Sequence, residues 1–210
     1  CLVGSEMCIR DSTGADPGNE AWDAAEMIQR DKTVRELEHA LPDDTGIVVI
    51  GSPELASQAI NARGDIEVFV ADTTGDGYGL VHRLDLNDRL AVDVPLAGLG
   101  SAVGDADLVL LETDALGPDS AICSVGSLTA AAVAAQLGTE VWLVAGVGRC
   151  LPAAMWEPLR AMVVSDEPWE DRYEVVSLDF VDRVVGPGGP VPAAEARFRI
   201  DCPVAPELFR

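Results

Sequence analysis

Five short apolar runs, separated by stretches with helical character, constrain the fold of this chain more than any other feature. They lie between residues 46 and 146 and read GIVVIG, IEVFVAD, LAVDVPLA, ADLVLLETD and EVWLVAG. Apolar and polar residues hardly alternate within them, which is typical of strands covered on both faces. Helices are predicted between them at residues 53–62 behind a Ser52 cap, 78–84, 99–103 and 127–137. This alternation predicts an α/β fold, a Rossmann-like open parallel sheet with helices on both faces.

The predicted elements divide the chain into three parts. Residues 1–19 begin with CLVGSEMCIRDS, which has no periodicity and resembles translated adapter DNA, so we interpret them as a disordered or non-native leader. Residues 20–42 carry an apolar stripe at helical spacing, which predicts one N-terminal helix. The Rossmann-like domain is expected to span residues 46–210, and a chain of 210 residues is long enough for one sizeable core.

The charge balance excludes one class of partner. The chain has 36 acidic and 14 basic residues and a formal net charge of -22. Because nucleic-acid binding depends on Lys and Arg side chains that neutralise phosphates, we expect no direct binding to nucleic acid. The excess of acid is typical of halophilic proteins, which stay soluble in concentrated salt, and it also suits an acidic face for a basic partner.

Other classes of function are excluded by what the sequence lacks. No apolar stretch reaches the roughly 18 residues of a membrane span, and no signal peptide is recognisable, so we expect a cytoplasmic protein without membrane contact. The five cysteines are scattered and accompanied only by His39 and His82, which predicts no metal site and fits reduced thiols. The glycine-rich stretch at 98–104 lies too close to the next strand for a dinucleotide-binding crossover, so no cofactor is expected.

Two helices are predicted to begin with small residues at the same edge of the sheet. Gly51 and Ser52 precede one of them, and Gly126 and Ser127 begin the other. Ligands of open parallel sheets bind beyond the carboxyl ends of the strands, and free N–H groups at a helix start bind phosphate or carboxylate there. Ordinary N-capping by serine is the alternative interpretation of both positions.

Three further side chains near this edge carry chemistry, and each has a structural alternative. Asp72 and Asp114 follow two of the strands, where a carboxylate binds sugar hydroxyls or caps the next turn. Cys123 comes three residues before a helix, a position that favours the thiolate. No histidine lies near Cys123 in sequence and its neighbours are apolar, so a buried structural cysteine is the alternative.

Residues 101–149, SAVGDADLVLLETDALGPDSAICSVGSLTAAAVAAQLGTEVWLVAGVGR, resemble the translation initiation factor 2B alpha/beta/delta subunit family. That superfamily also contains methylthioribose-1-phosphate isomerase and ribose-1,5-bisphosphate isomerase. The segments GIVVIGSPELASQAI and YEVVSLDFVDRVVGPGG are similar to the family's first strand and closing segment. The resemblance implies that one ligand site contains Asp114, Asp119, Ser120, Ser124, Gly126, Ser127 and the basic residue Arg149.

The departures from the family pattern predict a protein without catalysis. Gly51 and Ala121 stand where the isomerases of the superfamily have their cysteine and aspartate, so both proton-transfer groups are missing. We therefore predict a non-catalytic homo-oligomer that binds a nucleotide or sugar phosphate. One alternative is a sugar-phosphate isomerase with relocated groups, for which Cys123, Asp114 and Asp119 are the candidates. Another is an acidic surface that docks a basic partner, such as a subunit of initiation factor 2.

Overall fold

The computed structural model describes residues 22, 25–73, 75–163, 165–198 and 202, so the predicted leader at 1–19 lies outside the described residues. The helices are α1 (Thr33–Ala40), α2 (Glu54–Ala62), α3 (Gly77–Asp85), α4 (Leu99–Asp105), α5 (Ser127–Leu137), α6 (Ala153–Val163) and α7 (Ala193–Ala196). The strands are β1 (Gly46–Ile50), β2 (Glu67–Ala71), β3 (Leu90–Val94), β4 (Leu108–Leu116), β5 (Ser120–Ser124), β6 (Glu140–Val144), β7 (Tyr173–Ser177), β8 (Arg183–Gly186) and β9 (Gly189–Pro192).

The main sheet has the strand order β3-β2-β1-β4-β6-β8-β9. Every neighbouring pair is parallel except the last, in which β8 and β9 form an antiparallel hairpin. The chain runs outward from β1 to β3, returns to the centre, and continues on the other side from β4. The order therefore reverses between β1 and β4, and this switch point is where an open α/β sheet binds ligands.

Both faces of the sheet are covered, which confirms the predicted Rossmann-like α/β fold. In β1, Val48 and Ile50 belong to one buried cluster, whereas Ile47 and Val49 belong to a second cluster on the opposite face. The first cluster includes residues of α4 and α5, and the second includes residues of α1, α2 and α3. Such burial on both faces removes the alternation of apolar and polar residues that a half-exposed strand shows.

The segment GPDSAICSVGS contains a strand that is not among the five predicted from the sequence. The strand β4 continues past the main sheet, and its second half pairs antiparallel with β5, which in turn pairs antiparallel with β7. A tight turn joins β4 to β5, with the N–H of Gly117 donating to the carbonyl of Ser120 at 2.8 Å. Ala121, Ile122 and Cys123 are buried within this arm, so the apolar content of the segment reflects a strand.

The N-terminal helix predicted over residues 20–42 is interrupted. Residues 25–29 are helical, but α1 begins only at Thr33. The carboxylate of Asp31 explains the break, because it accepts hydrogen bonds from the backbone N–H of Thr33 at 2.8 Å and from its hydroxyl at 2.6 Å. The other oxygen of Asp31 accepts the N–H of Val147 at 3.0 Å, so Asp31 also attaches this segment to the loop after β6.

The alanine-rich helix α5 is buried on one face only. Ala130, Ala131 and Ala134 are fully buried against the sheet. Leu128 and Leu137 lie on the other side of the helix and are 36% and 56% exposed. Small side chains on the inner face allow close approach to the strands, but nothing in the described structure covers the outer face.

Candidate functional site

A polar cavity of about 240 Å³ lies at the switch point between β1 and β4. Its walls come from the ends of these two strands, from the starts of α2 and α5, and from the arm formed by β5 and β7. The lining residues are Ile50, Ser52, Pro53, Glu54, Glu112, Asp114, Ser124, Ser127, Arg149 and Tyr173. Five of the predicted ligand-binding residues therefore share one space, namely Ser52, Asp114, Ser124, Ser127 and Arg149.

Asp114 enters the cavity because of an irregularity in β4. Thr113 pairs with Cys123 and Ala115 pairs with Ile122, so Asp114 is an extra residue that has no partner in β5. A bulge of this kind turns the side chain out of the ladder, and bulges are common beside functional sites. No described residue donates a hydrogen bond to this carboxylate, and burial raises the pKa of Asp114 although the Arg149 charge opposes the shift.

The amide groups at the start of α2 are already occupied by a carboxylate of the protein. Glu112 Oε2 accepts the N–H groups of Leu55 at 2.8 Å and Ala56 at 3.0 Å. Its Oε1 accepts Nη1 of Arg149 at 2.9 Å, and the two side chains are only 9% and 16% exposed. Burial raises the pKa of Glu112, whereas the guanidinium and the two amides favour its charged form.

Ser52 does not cap α2, so this part of the prediction is wrong. Pro53 occupies the N-cap position, and no side chain caps the helix from there. The Ser52 hydroxyl instead accepts a hydrogen bond from Nη2 of Arg83 at 2.8 Å. Arg83 belongs to α3, so a second guanidinium lies beside the cavity, bound to one of its lining residues.

The start of α5 is occupied in the same way as the start of α2. Glu174 Oε1 accepts the N–H of Leu128 at 2.6 Å, and the backbone N–H groups of Gly126 and Ser127 also favour the carboxylate. Burial is the larger effect and raises the pKa of Glu174. The sequence predicts both helix starts, but no local pattern marks Glu112 or Glu174 as the groups that fill them.

Other predicted site residues lie beside the cavity or away from it. Gly51 immediately precedes Ser52 and donates its N–H to the carbonyl of Ala71 at 2.8 Å. Asp72 accepts the N–H of Gly75 at 2.7 Å and therefore stabilises the turn after β2. Asp119 and Ser120 lie at the far end of the β5 arm, where the Ser120 hydroxyl donates to Asp119 at 2.7 Å. None of these four residues lines the cavity.

Cys123 is poorly placed for the nucleophilic role considered for it. The side chain is fully buried in β5, and burial raises the pKa of its thiol. A neutral buried thiol is inert, because the thiolate is the nucleophile. Cys202 is disulfide-bonded, so the expectation of reduced thiols is wrong for Cys202.

The described residues contain neither a candidate metal cluster nor a helix that could span a membrane. In that part of the chain, no group of three or more His, Cys, Asp or Glu side chains is arranged to hold a metal ion. None of the helices within the same residues combines the length and the apolar character needed to cross a membrane.

The chain is similar to known proteins in its three-dimensional structure. No family model and no curated protein matches the chain. Translation initiation factor eIF-2B of Pyrococcus horikoshii OT3 matches with a TM-score of 0.71 and 11% identity over 84% of this chain and 69% of that one. For eIF2B beta of Chaetomium thermophilum the TM-score is 0.68 with 14% identity, over 86% of this chain and 55% of that one.

A third solved structure is an assembly. It is the tetrameric eIF2B-beta2-delta2 complex of C. thermophilum, which matches with a TM-score of 0.66 and 17% identity over 81% of this chain and 62% of that chain. This chain thus spans between 55% and 69% of the length of the three structures. Together these likenesses bear out the resemblance seen in the sequence: the protein has the fold of the eIF2B alpha/beta/delta subunits.

Proposed function

We propose that this chain is a non-catalytic, eIF2B-like protein that binds a small ribose-containing ligand, either a nucleotide or sugar phosphate or the nucleoside or sugar that such a ligand contains. The observation that carries the proposal is the cavity at the switch point, which brings Ser52, Ser127 and Asp114 together from three separate segments. Small-ligand sites are concave and contain a few convergent polar groups. The carboxylate of Asp114, which accepts no hydrogen bond from the described residues, suits a pair of sugar hydroxyls, and the half-exposed ring of Tyr173 offers a flat surface in the same cavity.

The proposal of a protein without catalysis depends on the two positions at which the isomerases of the superfamily carry their proton-transfer groups. Gly51 and Ala121 supply no acid or base, and the fully buried thiol of Cys123 does not replace them. Isomerisation of an aldose to a ketose moves protons, which requires an acid and a base within hydrogen-bond reach. The position of the Asp114 carboxylate in the cavity is the observation that favours the isomerase alternative. Turnover of ribose 1,5-bisphosphate that disappears in Asp114→Ala would contradict the proposal.

Substitution of Asp114 by asparagine is expected to weaken ligand binding about 10- to 100-fold, because a hydrogen bond to a charged group contributes about 1.5–3 kcal/mol. Isothermal titration of the protein with adenosine, adenosine monophosphate, ribose and ribose 5-phosphate measures the effect. Asp105→Asn is the matched control, since Asp105 is exposed at the end of α4, near the opposite edge of the sheet. No heat of binding with any of the four compounds would refute the ligand part of the proposal.

We further propose that the chain associates with a second copy of itself. Among the described strands, β3 is terminal in the sheet and pairs with β2 alone, and its residues Leu90 and Val92 are 67% and 42% exposed on the same face. Exposed apolar patches on an edge strand mark association surfaces. The net charge of -22 also suits a basic partner, for which a subunit of initiation factor 2 is the candidate that the resemblance implies.

Light scattering is expected to give a mass well above the 22.1 kDa of one chain, and Leu90→Asp is expected to reduce it towards that value. A carboxylate placed in an apolar contact loses its hydration without gaining a partner, which disfavours association. Met162→Asp provides the control, because Met162 is also exposed, at 76%, but lies on α6. A mass that is the same in the wild type and Leu90→Asp would argue against this surface.

A further inference from the structure

Glu112 makes the contacts that a phosphate would make at a helix start. One of its oxygens accepts two consecutive backbone N–H groups of α2, and the other accepts the guanidinium of Arg149. This combination of helix amides and an arginine is the usual environment of a bound phosphate. The three distances lie between 2.8 and 3.0 Å, so these donors are fully engaged within the chain.

Among the described residues, the remaining groups of the cavity do not provide a second place for a phosphate. The start of α5 is filled by Glu174, whose oxygen accepts the N–H of Leu128 at 2.6 Å. Glu54 and Asp114 add two carboxylates to the cavity wall, Arg149 lines it and is paired with Glu112, and Arg83 lies beside it and donates to the Ser52 hydroxyl. A phosphate in this space would meet like charges and engaged donors, and a like charge at short range disfavours the charged form of both groups.

We propose that Glu112 takes the place of a bound phosphate, so that the cavity selects an uncharged, hydroxyl-bearing ligand such as a nucleoside or a free sugar and rejects phosphate esters. The inference rests on the proposed function and narrows its ligand class. Hydroxyl donors suit Asp114, which accepts no hydrogen bond from the described residues, and the hydroxyls of Ser52, Ser124 and Ser127 can donate or accept. A phosphate group of a larger ligand would remain outside the cavity.

The first test uses the wild-type protein. Adenosine is expected to bind at least about tenfold more tightly than adenosine monophosphate, because a like-charge contact costs affinity and the amides that would stabilise a phosphate are engaged. Inorganic phosphate is expected not to compete with adenosine, with sodium chloride at equal ionic strength as the control for salt effects on an acidic protein. Tighter binding of the monophosphate, or competition by phosphate, would overturn the inference.

The second test removes the Glu112 carboxylate, which is proposed to take the place of a phosphate. Glu112→Ala frees the amides of Leu55 and Ala56 together with Arg149, so inorganic phosphate is expected to raise its unfolding temperature while the wild type does not respond. Glu112→Gln keeps an acceptor on the amides, and Asp114→Asn lowers the charge without freeing them. Neither control is expected to respond. A folded Glu112→Ala protein without a phosphate response would refute the inference.

The two tests separate this inference from the proposed function. If neither adenosine nor its monophosphate binds to the wild type, the proposed ligand class fails, and the phosphate response of Glu112→Ala still decides whether Glu112 occupies an anion site. If Glu112→Ala does not fold, the ratio of the adenosine and monophosphate affinities in the wild type decides instead. In both cases, measured binding of phosphate to the wild type contradicts the role of Glu112.

Discussion

Replacement of Arg149 by alanine is expected to lower the free energy of unfolding by about 3–5 kcal/mol at neutral pH, the usual cost of removing one partner from a buried ion pair. The Glu112 carboxylate would keep the N–H groups of Leu55 and Ala56 but would lose the only guanidinium that contacts it within the described structure. Its side chain is 9% exposed, so water replaces the lost partner poorly. The result would be an uncompensated charge at the junction of β4, α2 and the loop after β6.

The destabilisation should depend on pH in a defined direction. In the folded protein, the Arg149 charge lowers the pKa of Glu112 and burial raises it. Without the arginine, this charge no longer opposes the effect of burial, so the pKa of Glu112 rises further. The folded variant then binds a proton at a higher pH than the folded wild type does. Stability of the variant relative to the wild type therefore recovers as the pH falls from neutral towards 4.5, the ordinary value for a glutamate.

Urea denaturation of both proteins at neutral pH and near this lower pH measures the two effects. Arg160→Ala is the control, because Arg160 is 46% exposed and its contact with Glu157 is 3.9 Å long. An exposed pair of this kind contributes about 0–1 kcal/mol, and its loss should show little dependence on the protonation of Glu112. Equal destabilisation by the two substitutions, or a deficit in Arg149→Ala that grows on acidification, would contradict the structural role assigned to the buried pair.

The architecture of the main sheet could be predicted because its cause is local in the sequence. Strands such as β1 are buried on both faces, and this burial is visible as an unbroken apolar run in five consecutive residues, Gly46–Ile50. The helix α2 follows with one buried face, which gives the pattern of α/β alternation. The reversal of strand order between β1 and β4 then follows from the common topology of such sheets.

The arm formed by β5 and β7 could not be predicted from local pattern. A five-residue apolar strand with a serine at each end, Ser120–Ser124, has the same composition as a small-residue loop, and its partner β7 begins almost fifty positions later. The bulge at Asp114 depends on this pairing, because an extra residue exists only in relation to the strand opposite. The feature that directs Asp114 into the cavity is therefore absent from the sequence of β4 alone.

The occupants of the two helix starts were also beyond sequence reasoning. The carboxylate of Glu112 lies 57 positions from Leu55, and that of Glu174 lies 46 positions from Leu128. A helix start indicates that amide donors need a partner, but it does not indicate whether a ligand, water or a side chain supplies it. The sequence therefore indicated where amide donors lie, and the structure adds that two carboxylates of the chain itself accept from them.

Substitution of Gly126 by alanine is expected to destabilise the fold by two separable effects. The residue has a φ of +99°, and the left-handed region costs an L-residue roughly 1–2 kcal/mol. A Cβ at this position would also lie 2.7 Å from Cγ2 of Thr73 and 3.5 Å from Cγ2 of Ile50, and overpacking of this kind costs about 1–3 kcal/mol.

Gly138 at the other end of α5 separates the two effects. Its φ is +81°, but a Cβ there would meet no atom within 4 Å, so Gly138→Ala should show the backbone cost alone. The difference between the two unfolding free energies then measures how tightly the start of α5 is held against the ends of β1 and β2. Equal losses of unfolding free energy in the two variants would mean that the start of α5 is not packed tightly against the ends of β1 and β2. This result would argue against the close grouping of Ser52 and Ser127 around one cavity.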